Sequence, residues 1–387
     1  MAERKRTGKR RKRPADRPVE VLVNGIHARH GGGITYLVNM LPFLARDPSI
    51  RLHLALHESQ RDELASLHAG ITAHVFRFPD GFLSRLVWEQ AVLPRFAKRV
   101  GIDVTFCPAN FAPLFAPRPV VVVRNALAVG ANERRPAKRL YWLALAAATW
   151  VSLLRCPRAI AVSNYARRDV VRRFPGLAED KITVIHHGVS PSFAPPRRNE
   201  SRDGTLLAVA DFYIQKNLHG LLYAVDSLRA RFPRIRLKIA GAPVDEDYAN
   251  RLHDIVGVRG LEANVEFLGR VSGPRLAELY RRCGVFVFPS LVETFGNPLV
   301  EAMASGAPIV SAGCAAMPEI LGEAALLVDP RDPDAIGRAI ARVLDDAPLG
   351  RRLGARALER ASRFSWEETA LRTADVLKEC ARGDRGG

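Results

Sequence analysis

Residues 284–330, GVFVFPSLVETFGNPLVEAMASGAPIVSAGCAAMPEILGEAALLVDP, constrain this chain more than any other stretch. Val285, Phe286, Val287 and Phe288 form a short apolar run stopped by Pro289 and Ser290, the pattern of a fully buried strand. Asn297 is a good N-cap, and Pro298 stands at the first helical position, where a missing N–H costs nothing. The spacing predicts a short helix with Glu301 in its first turns and Gly306 at its C-cap; Glu293 lies in the loop ahead. Free amides around Gly296 to Val300 and the positive end of the helix dipole make an anion site. A carboxylate on each side of a diphosphate-sized anion accepts hydrogen bonds from neutral polyols such as sugar hydroxyls. That layout suits a nucleotide-sugar.

Two glutamates at this spacing are common on solvated helix faces. Embedded in PSLVETFGNPLVEAMASGAPIV, they point to a site. The stretch resembles the retaining glycosyltransferases of family 4, which have the two-domain GT-B fold and carry a Glu-x7-Glu pattern. The resemblance implies that Glu293 contacts the transferred hexose and Glu301 holds the donor ribose. It also implies that the backbone of Phe295, Gly296, Asn297, Pro298 and Leu299 faces sugar and diphosphate.

At 387 residues the chain is natural for two domains, and 48% hydrophobic content supports packed cores. No run of 18 apolar residues suggests a spanning helix. Cys107, Cys156, Cys283, Cys314 and Cys380 are scattered without a Cys-x-x-Cys, which points to a reducing cytosol. The basic N-terminus lacks a following apolar segment, so it is not a secretory signal.

Charge is uneven. Residues 1–200 hold 33 Lys+Arg against 15 Asp+Glu, a net +18, whereas residues 201–387 hold 25 of each. Residues 1–18 account for +7, leaving +11 on residues 19–200. The first half therefore meets something anionic or is simply solvated by arginine. A nucleic-acid partner lacks the aromatic-interleaved basic motif of single-strand binders, so an anionic membrane surface is the better candidate.

Residues 1–18 cannot bury apolar surface and are expected to be disordered, as a solvated tail or a headgroup anchor. A strand from Val19 to Val23 leads into a loop ending Gly31, Gly32, Gly33, then a helix from Ile34 to Leu44, an arrangement that lets amides approach phosphate. Further strands are expected at 51–56, 71–76, 104–106, 120–123 and 159–162, so the alternation argues a parallel sheet with helices on both faces. Relatives in the resembled family carry His-Asp after the strand at 120–123; here Arg124 and Asn125 stand there. Arg124 either donates to sugar or phosphate or simply reaches solvent. Within residues 133–158, the fifteen apolar-leaning residues 140–154 read as one helix, with Trp142, Trp150 and flanking arginines, either buried or at a membrane interface.

A linker is expected over 191–204, and the second domain opens with a strand at 205–210. Lys216 follows at the strand's carboxyl end, before a helix capped by Asn217, where α/β folds bind ligands. The resemblance implies that Lys216 contacts the donor diphosphate; the Arg that commonly precedes it by five residues is Asp211 here. The turn after 265–271, with Arg270, should face the nucleotide base. Asp245, Glu246 and Asp247 begin an amphipathic helix and read as capping acidity, so no metal is expected.

The resulting expectation is an α/β protein of GT-B architecture, two Rossmann-like domains with parallel sheets facing a central cleft. Its parts are the basic tail 1–18, an acceptor-side domain 19–190, the linker 191–204, a donor domain 205–365, and a helix and tail over 366–387 that cross back. The implied activity is retaining transfer of a hexose from a nucleotide diphosphate sugar to a saccharide or lipid-linked acceptor, in cell-surface glycan synthesis. No cofactor is implied, and the expected location is cytoplasmic, peripheral on the inner membrane face. A hydrolase or epimerase on the same frame, and a silent carbohydrate- or membrane-binding scaffold, are the alternatives. Lys216, Glu293 and Arg124 are the candidate catalytic residues. Gly32, Gly33, Lys216, Phe295, Gly296, Asn297, Pro298, Leu299, Glu301 and Arg270 are the candidate donor-binding set.

Overall fold

The computed structural model describes residues 17–28, 32–61, 70–125, 136–196 and 201–383. The expected tail over 1–18 lies outside the described residues except for Arg17 and Pro18, as do Gly31 and linker residues 197–200.

The chain forms two parallel sheets. The first holds β1 (Val19–Asn24), β2 (Ile50–His57), β3 (Ile71–Phe76), β4 (Val104–Cys107), β5 (Pro119–Val123), β6 (Ala159–Ala161) and β7 (Ile182–Val184), in the order β3-β2-β1-β4-β5-β6-β7. Around it run α1 (Gly32–Leu44), α2 (Phe82–Val87), α3 (Leu93–Val100), α4 (Pro136–Arg155) and α5 (Asn164–Arg173), with one π-helical turn, Trp88–Val92, between α2 and α3. The second sheet holds β8 (Leu206–Val209), β9 (Leu237–Ala240), β10 (Val265–Gly269), β11 (Val285–Phe288), β12 (Ile309–Ala312) and β13 (Ala325–Val328), in the order β10-β9-β8-β11-β12-β13. Its helices are α6 (Leu218–Leu228), α7 (Glu246–Arg259), α8 (Gly273–Arg282), α9 (Asn297–Ala304), α10 (Met317–Leu321), α11 (Pro333–Asp345) and α12 (Ala347–Ala361), and α13 (Trp366–Arg382) closes the chain.

Helices on both faces explain the sequence of the strands. Val120 to Val123 and Val285 to Phe288 are all buried, because a parallel strand covered twice has no face left for polar residues. The register keeps these runs abreast: Phe286 pairs with Ile309 on one side and Leu207 on the other. In each sheet the order reverses once, between β1 and β4 and between β8 and β11. Such a reversal opens a crevice at the carboxyl ends of the strands, the place where doubly wound folds take ligands.

The two sheets share a core. One apolar cluster runs from β1 and α1 through α13 to α9 and β12. Helix α13 packs back on α1, with Lys378 on Asp47 at 3.1 Å and Arg158 on Glu379 at 2.5 Å. Gly188 approaches α13 so closely that a Cβ there would stand 2.0 Å from the Trp366 nitrogen. Any side chain at 188 would push the helix away.

Helix α4 has an unusual polarity. Leu145 and Leu153 face inward, yet so do Thr149 and Ser152, whose hydroxyls donate to the Leu145 and Ala148 carbonyls. Leu140, Tyr141, Leu143, Trp150, Val151 and Leu154 are exposed. The helix is thus both buried and apolar on the outside, with Thr149 and Ser152 turned in.

Candidate active site

The carboxyl end of β11 leads through a short loop into α9. The helix begins differently from the expectation. Gly296, at φ 88°, is the N-cap, and Asn297 is the first helical residue. A Cβ at Gly296 would meet Leu299 Cδ1 at 3.0 Å, and the left-handed backbone already favours glycine. Freed from capping, the Asn297 side chain accepts a hydrogen bond from His187 Nδ1 at 2.9 Å, across from the other sheet. Of the amides expected to be free, that of Leu299 donates to the Gly296 carbonyl. The C-cap is Ser305, one residue before Gly306.

Glu301, in the second turn of α9, accepts from the Tyr280 hydroxyl at 3.0 Å. Burial pushes its carboxyl up to about 7, against the pull of that hydrogen bond. Glu293, in the loop, accepts from Lys216 Nζ at 2.5 Å. Lys216 ends a 3₁₀ turn after β8, so this ion pair spans the β8/β11 reversal. The sequence placed Lys216 and Glu293 on diphosphate and hexose separately; the structure joins them.

Asn217 does not cap α6 with its side chain, contrary to expectation. It adopts the left-handed conformation at φ 54° and its amide donates to the Pro289 and Pro330 carbonyls, pinning the Lys216 turn to the loops after β11 and β13. Asp211 accepts from the Ala242 amide at 2.8 Å, a structural bond that explains a carboxylate at this position. Arg270 is exposed past the end of β10, and its charge acts on Tyr213, which opens the turn that carries Lys216. Asp245 to Asp247 begin α7, and among the described residues no three His, Cys, Asp or Glu side chains group as metal ligands.

From the first sheet comes Arg124, just past β5. Its guanidinium sits where a Cβ on Gly32 would be 3.2 Å from Nη2 and 3.4 Å from Asn297 Nδ2. Gly32 and Gly33 are therefore the first turn of α1 rather than a loop, and they leave room for this apposition. Burial pushes the Arg124 pKa down, and among the described residues no carboxylate pairs with it. An arginine so placed remains a cation and retains affinity for an anion. Burial and the Arg124 charge push His187 down to about 3, so its ring is neutral and Nδ1 carries the proton donated to Asn297.

Contacts with no local sequence signal hold the two sides together. The Thr294 hydroxyl donates to the Arg124 carbonyl, and the Ser163 hydroxyl to the Thr294 carbonyl, both at 2.5 Å. Glu319 of α10 accepts from the Asn164 and Tyr165 amides at the start of α5 and faces His186 Nε2 at 3.0 Å. Burial opposes its ionisation, but these donors outweigh it and hold the carboxyl at about 2. A helix N-terminus on one side clasping a carboxylate on the other could be foreseen only from the Ser163 cap.

The arrangement thus sets Lys216, Arg124 and the start of α9 around one gap, with Glu293 and Glu301 as the nearby acceptors. It can hold a dianionic group and several hydroxyls at once.

Two family models match consecutive parts of the chain: Glycosyltransferase Family 4 over residues 30–193 and Glycosyl transferases group 1 over residues 192–360. Among curated proteins, the chain is 31% identical over 233 residues to O-antigen chain mannosyltransferase B of Escherichia coli, covering 57% of this chain and 60% of that one. It is 36% identical over 229 residues to the D-inositol 3-phosphate glycosyltransferase of Stackebrandtia nassauensis, covering 55% and 52%. The chain thus spans just over half the length of these curated relatives. Among solved structures, Anabaena Alr3699/HepE in complex with UDP-glucose superposes with TM-score 0.77 at 19% identity, covering 93% of this chain and 99% of that one. WaaG, a glycosyltransferase involved in lipopolysaccharide biosynthesis, gives TM-score 0.74 at 13% identity, covering 92% and 99%. The two facing parallel sheets are those of the GT-B fold, and the chain belongs to the group 1 glycosyl transferases.

Proposed function

We propose that the protein transfers a hexose from a nucleotide diphosphate sugar to a saccharide or lipid-linked hydroxyl, with retention, in the building of a cell-surface glycan. The observation that carries this reading is the convergence of Lys216, Arg124, Glu293 and Glu301 on the gap between the two sheets. Residues 205–365 hold the donor and residues 19–190 the acceptor. Glu301 accepts from the ribose hydroxyls, Glu293 from the sugar, and Phe295 to Leu299 line the diphosphate. Lys216 and Arg124 neutralise the charge that builds on the leaving diphosphate, work that needs positioning and electrostatics rather than a covalent nucleophile. The likeness to a structure in complex with UDP-glucose, to a mannosyltransferase and to a D-inositol 3-phosphate glycosyltransferase supports the class of donor.

The test is thermal stabilisation by a panel of UDP-, GDP- and ADP-sugars. One nucleotide series should raise the melting temperature in proportion to RT ln(1 + [L]/Kd), about 2.7 kcal/mol at a hundredfold excess over Kd. Stabilisation by none of them removes the reading.

The same reading places the acceptor domain on an anionic membrane. No helix of the described residues is long and apolar enough to cross one. Helix α4, however, turns six large apolar side chains outward between Arg139 and Arg155, and Arg155 lies 5.9 Å over the exposed ring of Phe115. Two-fold pairing of this face with a second copy would bring arginines together at its ends, whereas an anionic bilayer accepts both. Lying flat, the helix buries its apolar side and leaves its arginines among headgroups.

The protein is therefore expected to sediment with vesicles containing anionic lipid, not with neutral ones, and to be released by high salt. Each arginine removed from the rim should cost about 1 kcal/mol, roughly fivefold in partitioning. Leu143→Ser with Trp150→Ser should abolish binding, and deleting residues 1–18 should weaken it only in part. Equal binding to neutral vesicles would assign attachment to apolar insertion alone; no binding to either would contradict it.

A further inference from the structure

The first sheet has its own reversal, between β1 and β4, and the donor reading leaves it unused. Three residues meet there. Glu89 is 0% exposed, brought inward by the π-helical turn Trp88–Val92. One carboxylate oxygen accepts from Asn24 Nδ2, at the end of β1, at 2.6 Å. The other faces Nε2 of His27, in the loop after β1, at 2.9 Å. The His27 ring stands edge-on to Phe111, of the loop after β4, with centroids 4.8 Å apart.

A buried carboxylate is costly to keep unless its donors are fixed, and π-turns recur where a site needs a side chain in an otherwise inaccessible position. Glu89 has no structural ion pair with Lys or Arg among the described residues; its partners are an amide and an imidazole. With the imidazole proton on Nε2, donated to this carboxylate, Nδ1 is a lone-pair acceptor. Nδ1 has no partner among the described residues, and the side chain remains 22% exposed. A fixed acceptor beside a half-buried aromatic ring is the chemistry that receives a sugar hydroxyl while the ring covers apolar C–H groups.

The position fits an acceptor. Ala28, next to His27, touches Gly33, where an added Cβ would be 3.2 Å from the Ala28 Cα and 3.9 Å from Arg124 Nη1. His27 is thus one residue from a backbone contact that lies beside Arg124. Two strand spacings, roughly 10 Å, separate β1, which His27 follows, from β5, which Arg124 follows.

We propose that His27, oriented by Glu89 and flanked by Phe111, binds a hydroxyl of a saccharide acceptor, one remote from the hydroxyl that is glycosylated. This rests on the transferase reading. Residues His27 and Phe111 touch the acceptor; Glu89 is a positioning residue that acts through the His27 tautomer.

The test uses full-length protein labelled with [15N]histidine, with the His27 signal identified from His27→Asn. The probes are the methyl α-glycosides of glucose, mannose and galactose, added singly. His27 should show a protonated Nε2 and an unprotonated Nδ1, and at least one glycoside should move the Nδ1 resonance saturably. Glu89→Gln should weaken that response at least tenfold, while stabilisation by the nucleotide panel stays within twofold in apparent affinity. Should Glu89→Gln fail to fold, calorimetric titration of the same glycosides into His27→Asn carries the comparison, with the same loss expected. A proton on Nδ1, no response to any of the three, or an undiminished response in Glu89→Gln overturns the proposal. Failure of the donor reading is seen separately, as absence of nucleotide stabilisation.

Discussion

Lys216→Ala is expected to lower turnover by tens- to thousands-fold. The ammonium sits at the β8/β11 reversal, held by a turn that Asn217 ties to the loops after β11 and β13. A fixed cation there costs no reorganisation when the diphosphate gains charge on leaving, and such a contact contributes about 2–4 kcal/mol to the transition state. Its removal also strips Glu293 of its 2.5 Å partner, leaving a bare carboxylate beside the diphosphate. Loss of attraction and gain of repulsion act together, so the effect should exceed that of Lys216→Arg, which keeps the charge but not the point geometry. Initial rates of nucleotide release with saturating donor measure it. A change below twofold would move the role to Arg124, the other cation at the gap.

Glu301 should make donor binding depend on pH in a defined direction. Its carboxyl, raised by burial to about 7, is largely protonated in mildly acidic solution. Ribose hydroxyls donate to the ionised form, so affinity should be level above pH 8 and fall about tenfold per unit well below 7. Glu301→Gln should bind weakly at every pH and lose this slope. The stability consequence has the opposite sense. A carboxyl whose folded pKa lies above its unfolded value favours folding at low pH, and that advantage is lost as pH rises from about 4.5 to 7. Without donor, Glu301→Gln should therefore melt above wild type at pH 8 and level with it near pH 4. The wild type carries a cost at neutral pH that the donor offsets.

Much of the architecture was legible because parallel strands leave plain marks. Val120 to Val123 and Val285 to Phe288 are apolar without alternation, and only strands covered on both faces look like this. Glu293 and Glu301 were legible from the Gly-Asn-Pro between them, although the cap fell on Gly296 rather than Asn297. What stayed hidden was pairing across long sequence separation. Nothing near Lys216 announces Glu293 as its partner, nor does anything near Asn297 announce His187. Glu89 was missed because a single acid in a helical stretch ordinarily faces water, and only the π-turn turns it inward. On α4 a signal was present and unused: Thr149 and Ser152 share the inward side with Leu145 and Leu153, which leaves the apolar majority outside.

In the proposed transferase, donor nucleotide and donor sugar are held by different carboxylates of one loop-and-helix unit. Calorimetric titration of Glu301→Ala and Glu293→Ala with the stabilising nucleotide diphosphate, and then with its sugar, separates them. Glu301→Ala loses charge-assisted hydrogen bonds of about 1.5–3 kcal/mol each, so it should bind nucleotide and nucleotide-sugar alike at least tenfold more weakly. Glu293→Ala should bind the free nucleotide as wild type does and lose its preference among sugars, together with most of its turnover. Wild-type affinity, sugar preference and turnover in both variants would contradict the account.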